Sequence, residues 1–424
     1  MTDIIKSIID WNPWIESWTI PKELLWYKRD IDIVNYLNFK EIKILQWARR
    51  TGKSTLLYIV INEIYKKNKN ILYLNFDDEI LKKYDLQIII EKFKEQKEVE
   101  YLFLDEIQNC KNWTSYIKKS YDTKIFKQIW ITWSNSSLIQ KEYSSLLTWR
   151  NITINIHTLN FGEFLRFKWF KNENTNFLSS EKLTKIKKFF KEYLTFWGFP
   201  EVTLRKFNKK ELLLNYFDDF IYKDIVWRYN INSTKIKNLA LYLLSNNSKL
   251  FSYRKLAKTL DLNFESLSNY LNYFYEIYLF FELKKFDYSF KKQLIATKKI
   301  YSIDNWFINL WFSFSENIWR ILENLVFTEL QRRKKEVFYF KQKKECDFVV
   351  RKGNKIVEVI QITYSLYDKE TKIREIDWLM EAMNNFWLNK WLILTYEEED
   401  NITMEISQKE FKIKILPIWK WLLI

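Results

Sequence analysis

The sequence predicts an α/β fold that contains a parallel sheet covered by helices. Between residues 40 and 170, short apolar runs typical of strands alternate with longer stretches that have the apolar spacing of helices. The tetrapeptide Gly52-Lys53-Ser54-Thr55 follows one such strand and opens the next helical stretch, as in a phosphate-binding loop. Further along, the apolar run YLFL ends in Asp105 and Glu106. These three observations favour a nucleotide-binding domain in the first part of the chain.

The predicted strands of this first part follow one another at regular intervals. They are IKIL, ILYLNF, YLFL, KIFKQIWIT and ITINI, and the helical patterns between them include TLLYIVINEIYKK and LQIIIEKFKEQK. A helix between two strands lets the chain return to the same end of a sheet, so the strands are predicted to run parallel.

The remainder of the chain has a different organisation. Residues 180 to 235 are predicted to be helical, and residues 250 to 286 form a helix-turn-helix pattern that ends in a strand. Strands return at EVFYF, CDFVV and KIVEVIQIT, followed by an amphipathic helix and the strand WLILTY.

Composition limits the classes of protein to which this chain could belong. It has 424 residues, only two cysteines, no apolar run long enough to span a membrane and no charged-then-apolar leader, so we expect a cytoplasmic protein without membrane contact. The net charge of +16 favours a polyanionic partner. Abundant Ile, Lys and Asn, which have A/T-rich codons, offer another origin for that charge. A nucleic acid and a protein client both stay open as partners.

The loop and the start of the following helix are the predicted nucleotide site, with ATP and Mg²⁺ as the expected ligands. Lys53 is predicted to reach the β- and γ-phosphates, Ser54 to place its hydroxyl on Mg²⁺, and Thr55 to contact the α-phosphate. The complete predicted set is Trp47, Ala48, Arg49, Arg50, Thr51, Gly52, Lys53, Ser54 and Thr55.

Residues after the next strands are predicted to complete the reaction centre. Asp105 would hold the metal, mostly through water, and Glu106 would polarise the attacking water. Asn135, in ITWSNSS, would orient that water, although this segment also suits a serine-rich helix N-cap. Arg150 is a candidate arginine finger for a neighbouring subunit, and a solvated surface arginine is the alternative. His157 is the single histidine, which excludes multi-histidine metal sites.

Motifs along nearly the whole chain resemble the archaeal and bacterial AAA-superfamily ATPases. They include ARRTGKSTLL, YLFLDEIQNCKNW, LNFGEFL, YKDIV, KKIYSIDNWF, ENLVFTEL and ECDFVV. In that family a P-loop domain is followed by a winged helix and a nuclease-like domain. The resemblance implies a P-loop ATPase domain with an N-terminal extension at 1–170, a helical lid at 171–235, a winged helix at 236–288 and an α/β nuclease-like domain at 289–424. It also makes ring assembly, as a homo-oligomer, plausible.

The resemblance places a PD-(D/E)XK-type nuclease site in the last domain. Glu323 and Asp347 match its carboxylates, whereas the E-x-K element appears as Gln361-Ile362-Thr363 and so lacks a charged ligand and the lysine. We therefore expect a degenerate site with weak or no cleavage. The predicted recognition helix of the winged helix, from Phe264, presents no basic side chain on its outer face, so packing against other domains and DNA reading both stay open.

The tryptophans raise a separate question. The chain has 4 glycines and 20 tryptophans, whereas ordinary chains contain about 7% glycine. Similar proteins carry glycine at positions equivalent to Trp47, Trp133, Trp149, Trp197 and Trp306. We hypothesise that these codons, together with those of Trp319 and Trp391, are UGA, read as glycine in the organism because each position is predicted to need a glycine backbone. The alternative is a tryptophan-rich ATPase whose phosphate loop is obstructed by Trp47.

Three functions are compatible with these patterns. The first is an Mg²⁺-dependent ATPase that acts as a nucleotide-driven switch. The second is an ATP-regulated DNA nuclease, and the third is an ATP-binding scaffold that does not hydrolyse its nucleotide.

Overall fold

The computed structural model describes residues 2–17, 19–22, 25, 29–135, 149–170, 179–196, 198–309, 318–388, 390–406 and 409–424. The chain divides into two compact units, the first of Met1–Thr158 with Glu276–Tyr278 and the second of Leu159–Tyr275 with Leu279–Ile424. Within the described ranges, no helix is long and apolar enough to cross a membrane.

The first unit contains a five-stranded parallel sheet with the strand order β2-β3-β4-β1-β5. Its strands are β1 (Ile42–Gln46), β2 (Ile71–Asn75), β3 (Tyr101–Asp105), β4 (Gln128–Trp133) and β5 (Asn151–Asn155). Its helices are α1 (Thr2–Trp11), α2 (Trp14–Ser17), α3 (Lys53–Tyr65), α4 (Leu86–Lys94) and α5 (Trp113–Asp122), with 3₁₀ segments at Ile33–Asn38, Leu81–Lys83 and Ile107–Asn109. The predicted parallel sheet is confirmed.

Burial explains why these strands could be recognised. Strand β2 is buried along its whole length and β1, β3 and β4 nearly so, because the crossover helices of a parallel sheet leave neither face to solvent. Ile44, Leu74, Leu104 and Ile131 come from four neighbouring strands and lie in one hydrophobic cluster. Parallel pairing also brings the carboxyl ends of β1, β3 and β4 to one edge, where a ligand site is expected.

The second unit begins with helices. They are α6 (Phe161–Phe167), α7 (Ser180–Phe196), α8 (Pro200–Leu204), α9 (Lys209–Asp218), a π-helical segment (Asp219–Val226), α10 (Trp227–Tyr229) and α11 (Ser233–Ser245). Next come β6 (Leu250–Phe251), α12 (Tyr253–Thr259), α13 (Phe264–Glu276), β7 (Phe280–Lys284), α14 (Phe290–Ile295) and β8 (Lys298–Ser302). Strands β6, β8 and β7 form a small antiparallel sheet. The predicted helical segment and the helix-turn-helix-strand order are confirmed.

The rest of the second unit contains a six-stranded mixed sheet with the order β13-β14-β12-β11-β10-β9. The elements are α15 (Asn305–Asn309), α16 (Ile318–Arg332), β9 (Glu336–Lys341), β10 (Glu345–Lys352), β11 (Lys355–Ile362), α17 (Lys369–Phe386), β12 (Lys390–Thr395), β13 (Asp400–Ile406), β14 (Lys409–Pro417) and α18 (Ile418–Trp421). Sequence analysis predicted β9 to β12 and α17 but missed β13 and β14. The domain boundaries at 170, 235 and 288 stay predictions.

The backbone shows which tryptophans occupy positions that favour glycine. Trp149, Trp169 and Trp387 have φ values of 66°, 58° and 57°, in the left-handed region that a Cβ disfavours. Trp387 follows helix α17 and its N–H bonds the carbonyl of Met383 at 2.7 Å, which is the usual place of a C-cap glycine.

Other suspect tryptophans do not have this backbone. Trp133 and Trp391 lie in strands β4 and β12, and Trp306 and Trp319 lie in the first turns of α15 and α16. Our expectation that a special conformation requires glycine at these four positions is therefore wrong for the described backbone. Trp197 lies outside the described residues.

The codons of the gene test the recoding hypothesis. We expect UGA at Trp47, Trp149, Trp169 and Trp387, because the last three combine a left-handed φ with side chains that are 94%, 79% and 83% exposed. Trp113, which is buried in the hydrophobic core of the first unit and contacts the Trp133 ring, should be UGG. Sequencing the gene decides the matter, and UGG at position 47 would end the hypothesis.

A buried carboxyl group lies under the start of α15. Asp304 is fully buried and accepts a hydrogen bond from the Trp306 N–H at 2.8 Å. Burial raises the pKa of Asp304 to about 8, although backbone N–H groups of Trp306 and Gly198 partly oppose this. The neutral form is therefore favoured in the folded protein, so folding stability from this group is complete at acid pH and is lost as pH rises towards about 8.

Replacing Asp304 by Asn should remove this dependence, since the amide resembles the neutral acid but does not ionise. The parent should lose stability relative to Asp304→Asn as pH rises from about 4, the ordinary pKa of an aspartate, to about 8, as measured by urea unfolding. The exposed Asp261→Asn is the control and should keep the parent's profile. Parallel curves for the parent and Asp304→Asn would contradict the assignment.

Candidate nucleotide-binding site

The phosphate loop connects β1 to α3 and is closed by its own hydrogen bonds. The Thr51 hydroxyl donates to the Ala48 carbonyl at 3.1 Å. Gly52 has a left-handed backbone, with φ 93° and ψ 25°, which a residue with a Cβ adopts at a cost of about 1–2 kcal/mol. The Leu56 N–H bonds the Gly52 carbonyl, so α3 starts directly after the turn. This arrangement points the first N–H groups of a helix at the loop, as anion binding requires.

Lys53 is the cation of the loop, and it is 3% exposed. Its Nζ donates to the carbonyl oxygens of Trp47 at 3.0 Å and Ala48 at 2.9 Å. These neutral acceptors satisfy a buried ammonium without cancelling its charge. Lys53 can therefore exchange them for phosphate oxygens with a gain in electrostatic energy.

Asp105 ends β3 and is surrounded by hydroxyl groups. Tyr73 donates to its Oδ2 at 2.7 Å, and Thr132 and Ser54 also bond this carboxylate. Burial and the neighbouring charge of Glu106 raise the pKa of Asp105, and the hydroxyl donors partly oppose that rise. The Ser54 hydroxyl and the Asp105 carboxylate are hard oxygen donors side by side, which is the ligand chemistry that fits Mg²⁺.

Glu106 follows with a left-handed backbone, at φ 50°. The Ser134 hydroxyl donates to both of its carboxylate oxygens, at 2.7 and 2.8 Å, and the Gln108 amide bonds one of them. Burial tends to raise the pKa of Glu106, but attraction to Lys53 and these hydrogen bonds outweigh burial and lower it. Glu106 is therefore ionised at neutral pH, and its strained backbone is of the kind that clusters at functional sites.

The other predicted loop and edge residues lie around these groups. Asn135 is buried directly after β4, the strand next to both β1 and β3. The charge of Arg49 contributes to the lowered pKa of Glu106. Arg50 is exposed and Thr55 is half-buried. The serines that follow Asn135, which suit the alternative helix N-cap, lie outside the described residues.

Sequence analysis missed Arg29, whose side chain forms hydrogen bonds to the main chain of the phosphate loop. Its guanidinium is 6% exposed and donates to the carbonyls of Thr51 at 3.0 Å and His157 at 2.7 Å. Because both acceptors are main-chain groups, no sequence pattern marks this contact. Arg29 links the loop after β1 to the segment after β5.

The Trp47 indole is also buried within the first unit. It packs against the His157 ring at a centroid distance of 3.9 Å and stacks on Tyr278 at 4.4 Å. Its φ of 157° is at the margin of the left-handed region. His157 therefore contacts an aromatic side chain of the phosphate loop.

Arg150 pairs with an acidic residue of its own chain. Its Nε and Nη2 bond the two carboxylate oxygens of Asp122 at 2.8 and 3.2 Å. The carbonyl of Arg150 accepts the Ile42 N–H, at the start of β1 and so at the other end of this strand from the loop. Its role as an arginine finger stays a prediction.

A second polar cluster lies within the second unit, and it contains the candidate nuclease residues. Glu323 of α16 and Asp347 of β10 meet at Lys299 of β8, whose Nζ lies 2.8 and 3.4 Å from their carboxylates. Burial and the charge of Glu323 raise the pKa of Asp347 to about 8. Gln361 accepts the Asp347 N–H and donates to Glu375 at 2.9 Å. Sequence analysis did not single out Lys299.

Comparisons with known proteins identify the relatives of this chain. Residues 39–165 match the AAA domain family, and residues 187–313 match a domain of unknown function, DUF8612. The uncharacterized protein MJ1544 of Methanocaldococcus jannaschii is 36% identical over 99% of this chain and 96% of its own length. The chain belongs to the MJ1544 family. Its first unit contains an AAA-superfamily domain, as predicted.

The MJ1544 family also has a bacterial member. An uncharacterized protein of Haemophilus influenzae is 30% identical over 92% of this chain and 98% of its own length. Among solved structures, AMPPCP-bound DnaA from Aquifex aeolicus is 14% identical, covers 56% of this chain and 84% of its own, and has a TM-score of 0.26.

Arg29 provides a test of how the loop is held. Arg29→Met should leave two buried carbonyls without a donor, lowering the free energy of unfolding by about 1–3 kcal/mol. It should also weaken binding of a non-hydrolysable ATP analogue about tenfold, through a misplaced loop. Thermal unfolding and calorimetric titration measure the two effects. Arg205→Met, at an exposed arginine of the second unit, is the matched control, and equal affinity in both variants would show that Arg29 does not position the loop.

Proposed function

We propose that this protein hydrolyses ATP with Mg²⁺ and that its nucleotide state acts as a switch on the rest of the chain. The observation that carries the proposal is an ionised, half-buried carboxylate, Glu106, beside a buried loop lysine, Lys53, at the edge where β1, β3 and β4 end. A base and a buried phosphate-binding cation at one sheet edge are the two groups that phosphoryl transfer to water needs.

Binding follows from the loop geometry. Lys53 would leave the carbonyls of Trp47 and Ala48 and bond the β- and γ-phosphates. Ser54 and Asp105 would hold Mg²⁺, the Asp105 carboxylate mostly through water. When bound, Mg²⁺ neutralises phosphate charge and polarises the phosphoryl oxygens. The N–H groups at the start of α3 would bond the remaining phosphate oxygens.

Hydrolysis requires a positioned water and an acceptor for its proton. Glu106 would accept a hydrogen bond from the attacking water and orient it, because Ser134 and Gln108 fix the carboxylate. Asn135, buried after β4, would hold the same water from its other side. Lys53 keeps Glu106 ionised in a site that otherwise favours the neutral acid.

The second unit would respond to the nucleotide state of the first unit. We infer a winged helix, made by α12, α13 and the β6-β8-β7 sheet, and a nuclease-like region with weak or no cleavage. The convergence of Glu323, Asp347 and Gln361 supports the nuclease likeness. The Gln361 amide donates a hydrogen bond to Glu375, and this structural use of Gln361 supports weak or absent cleavage. An ATP-regulated nuclease is the alternative, which the two carboxylates favour. A nucleic acid or a protein client would be the partner, and a homo-oligomer the active form.

Two variants separate binding from turnover. Lys53→Ala should abolish ATP binding, because it removes the cation that holds the phosphates. Glu106→Gln should bind ATP normally but hydrolyse it at least about 100-fold more slowly than the parent, because an amide cannot accept the proton of the water. Fluorescent-nucleotide titration and phosphate release measure the two steps, in protein with glycine wherever the codon is UGA.

The exposed Glu79→Gln is the matched control and should behave as the parent. Equal phosphate release by Glu106→Gln and the parent would refute the role of Glu106. Tight ATP binding by the parent without any phosphate release would instead indicate the non-hydrolysing scaffold.

A further inference from the structure

Lys299 has an unusual environment for a lysine. It is 2% exposed, on β8, and its Nζ approaches three carboxylates, Glu323 at 2.8 Å, Glu345 at 2.9 Å and Asp347 at 3.4 Å. The Tyr339 ring lies 6.0 Å from the same nitrogen. A buried ammonium surrounded by three acidic side chains is a built electrostatic centre, since each ion alone would be costly to bury.

The surrounding groups hold these carboxylates in place. Tyr301 donates to Glu323 Oε1 at 2.7 Å, and the main-chain N–H of Ile362 donates to Asp347 Oδ2 at 3.0 Å. Lys341 bonds the outer oxygen of Glu345 at 3.1 Å. Glu323 Oε1 therefore accepts from both Lys299 and Tyr301, whereas Asp347 contacts Lys299 through Oδ1 and is fixed by the Ile362 N–H through Oδ2.

A divalent metal does not fit this cluster as it stands. The carboxylate oxygens that would be its ligands are already engaged by an ammonium, and among the described residues no group of three or more acidic, cysteine or histidine side chains could hold a metal ion. Gln361, at the place of the missing charged ligand, binds Glu375 instead.

We propose that the Lys299 ammonium is a built-in cation that occupies the place of a divalent ion between Glu323, Glu345 and Asp347. The ammonium is covalently attached to the chain, so it does not dissociate. Because it carries a single charge, it does not polarise a phosphate as a divalent ion does. The inference rests on the proposed nuclease likeness of this region and gives a physical reason for its weak or absent cleavage.

Removing the ammonium should open the cluster to a metal. Lys299→Met keeps the apolar stem but leaves the carboxylates repelling one another, which should lower the Tm by roughly 5–15 °C. Millimolar Mn²⁺ should then restore about half of that loss or more, through preferential binding to the folded state. Electron paramagnetic resonance of free Mn²⁺ should show one more ion bound than in the parent, without nucleotide.

Two matched variants control this measurement. Lys298→Met removes the neighbouring lysine of β8, whose Nζ donates to the carbonyl groups of Leu294 and Ala296 and lies 5.5 Å from the centre of the Tyr253 ring, and it should gain no Mn²⁺. Lys299→Met with Asp347→Asn should lose the gained ion, because a carboxylate ligand is missing.

Failure of Lys299→Met to gain either Mn²⁺ or thermal recovery overturns the proposal. A second test compares the parent with Asp347→Asn and does not depend on the folding of Lys299→Met. Mn²⁺ bound by the parent and lost in Asp347→Asn would show that Lys299 does not occupy the cation place, and equal Mn²⁺ binding by these two proteins supports the proposal. ATP binding is measured on the same samples, so a failure of the ATPase proposal is distinguishable from both results.

Discussion

The constraint on which the site depends is the placement of two adjacent carboxylates, the buried Asp105 and the half-buried Glu106, at the end of β3. Two such charges cannot be taken out of water, wholly or in part, without compensation. The structure compensates each in a different way. Asp105 is surrounded by hydroxyl donors and its pKa is raised, whereas Glu106 faces Lys53 and its pKa is lowered. At one edge of the sheet, Asp105 therefore suits a metal ion and the adjacent Glu106 suits a water molecule. Tyr73 and Thr132 donate hydrogen bonds to Asp105, and Ser134 donates to Glu106.

The parallel sheet and the gathering of its site residues could be predicted from sequence for the same reason. Strands β1 to β4 are buried on both faces, so their apolar runs stand out, and consecutive parallel strands must end at one edge. That geometry brings Lys53, Asp105 and Asn135 together from distant parts of the chain without knowledge of any contact. Strands β13 and β14 escaped prediction because charged residues recur along both, as in DNITMEI and KEFKIKILP, and interrupt the apolar runs by which the other strands were recognised.

What could not be predicted involves partners that leave no mark in the sequence. Arg29 binds main-chain carbonyls, which every residue has, so nothing at Thr51 or His157 announces it. Lys299 meets carboxylates of α16 and β10, and only the fold of the second unit brings them within reach. The tryptophans show the converse limit. The amino-acid composition indicates that glycine is missing from the chain but does not indicate where. Only the backbone distinguishes Trp149 and Trp387, which have left-handed φ values, from Trp133, which lies in strand β4.

The two buried lysines show how the acceptor decides what a cation can do. Lys53 is held by two neutral carbonyl oxygens, so an arriving phosphate offers it a stronger partner. Lys299 is held by carboxylates at 2.8 and 2.9 Å, and a phosphate would have to displace anions that are fixed by Tyr301 and Lys341. At low dielectric, the attraction of an ammonium to a carboxylate far exceeds its attraction to a carbonyl dipole. The first lysine is therefore exchangeable and suits a ligand that comes and goes, while the second is held by ion pairs within the fold.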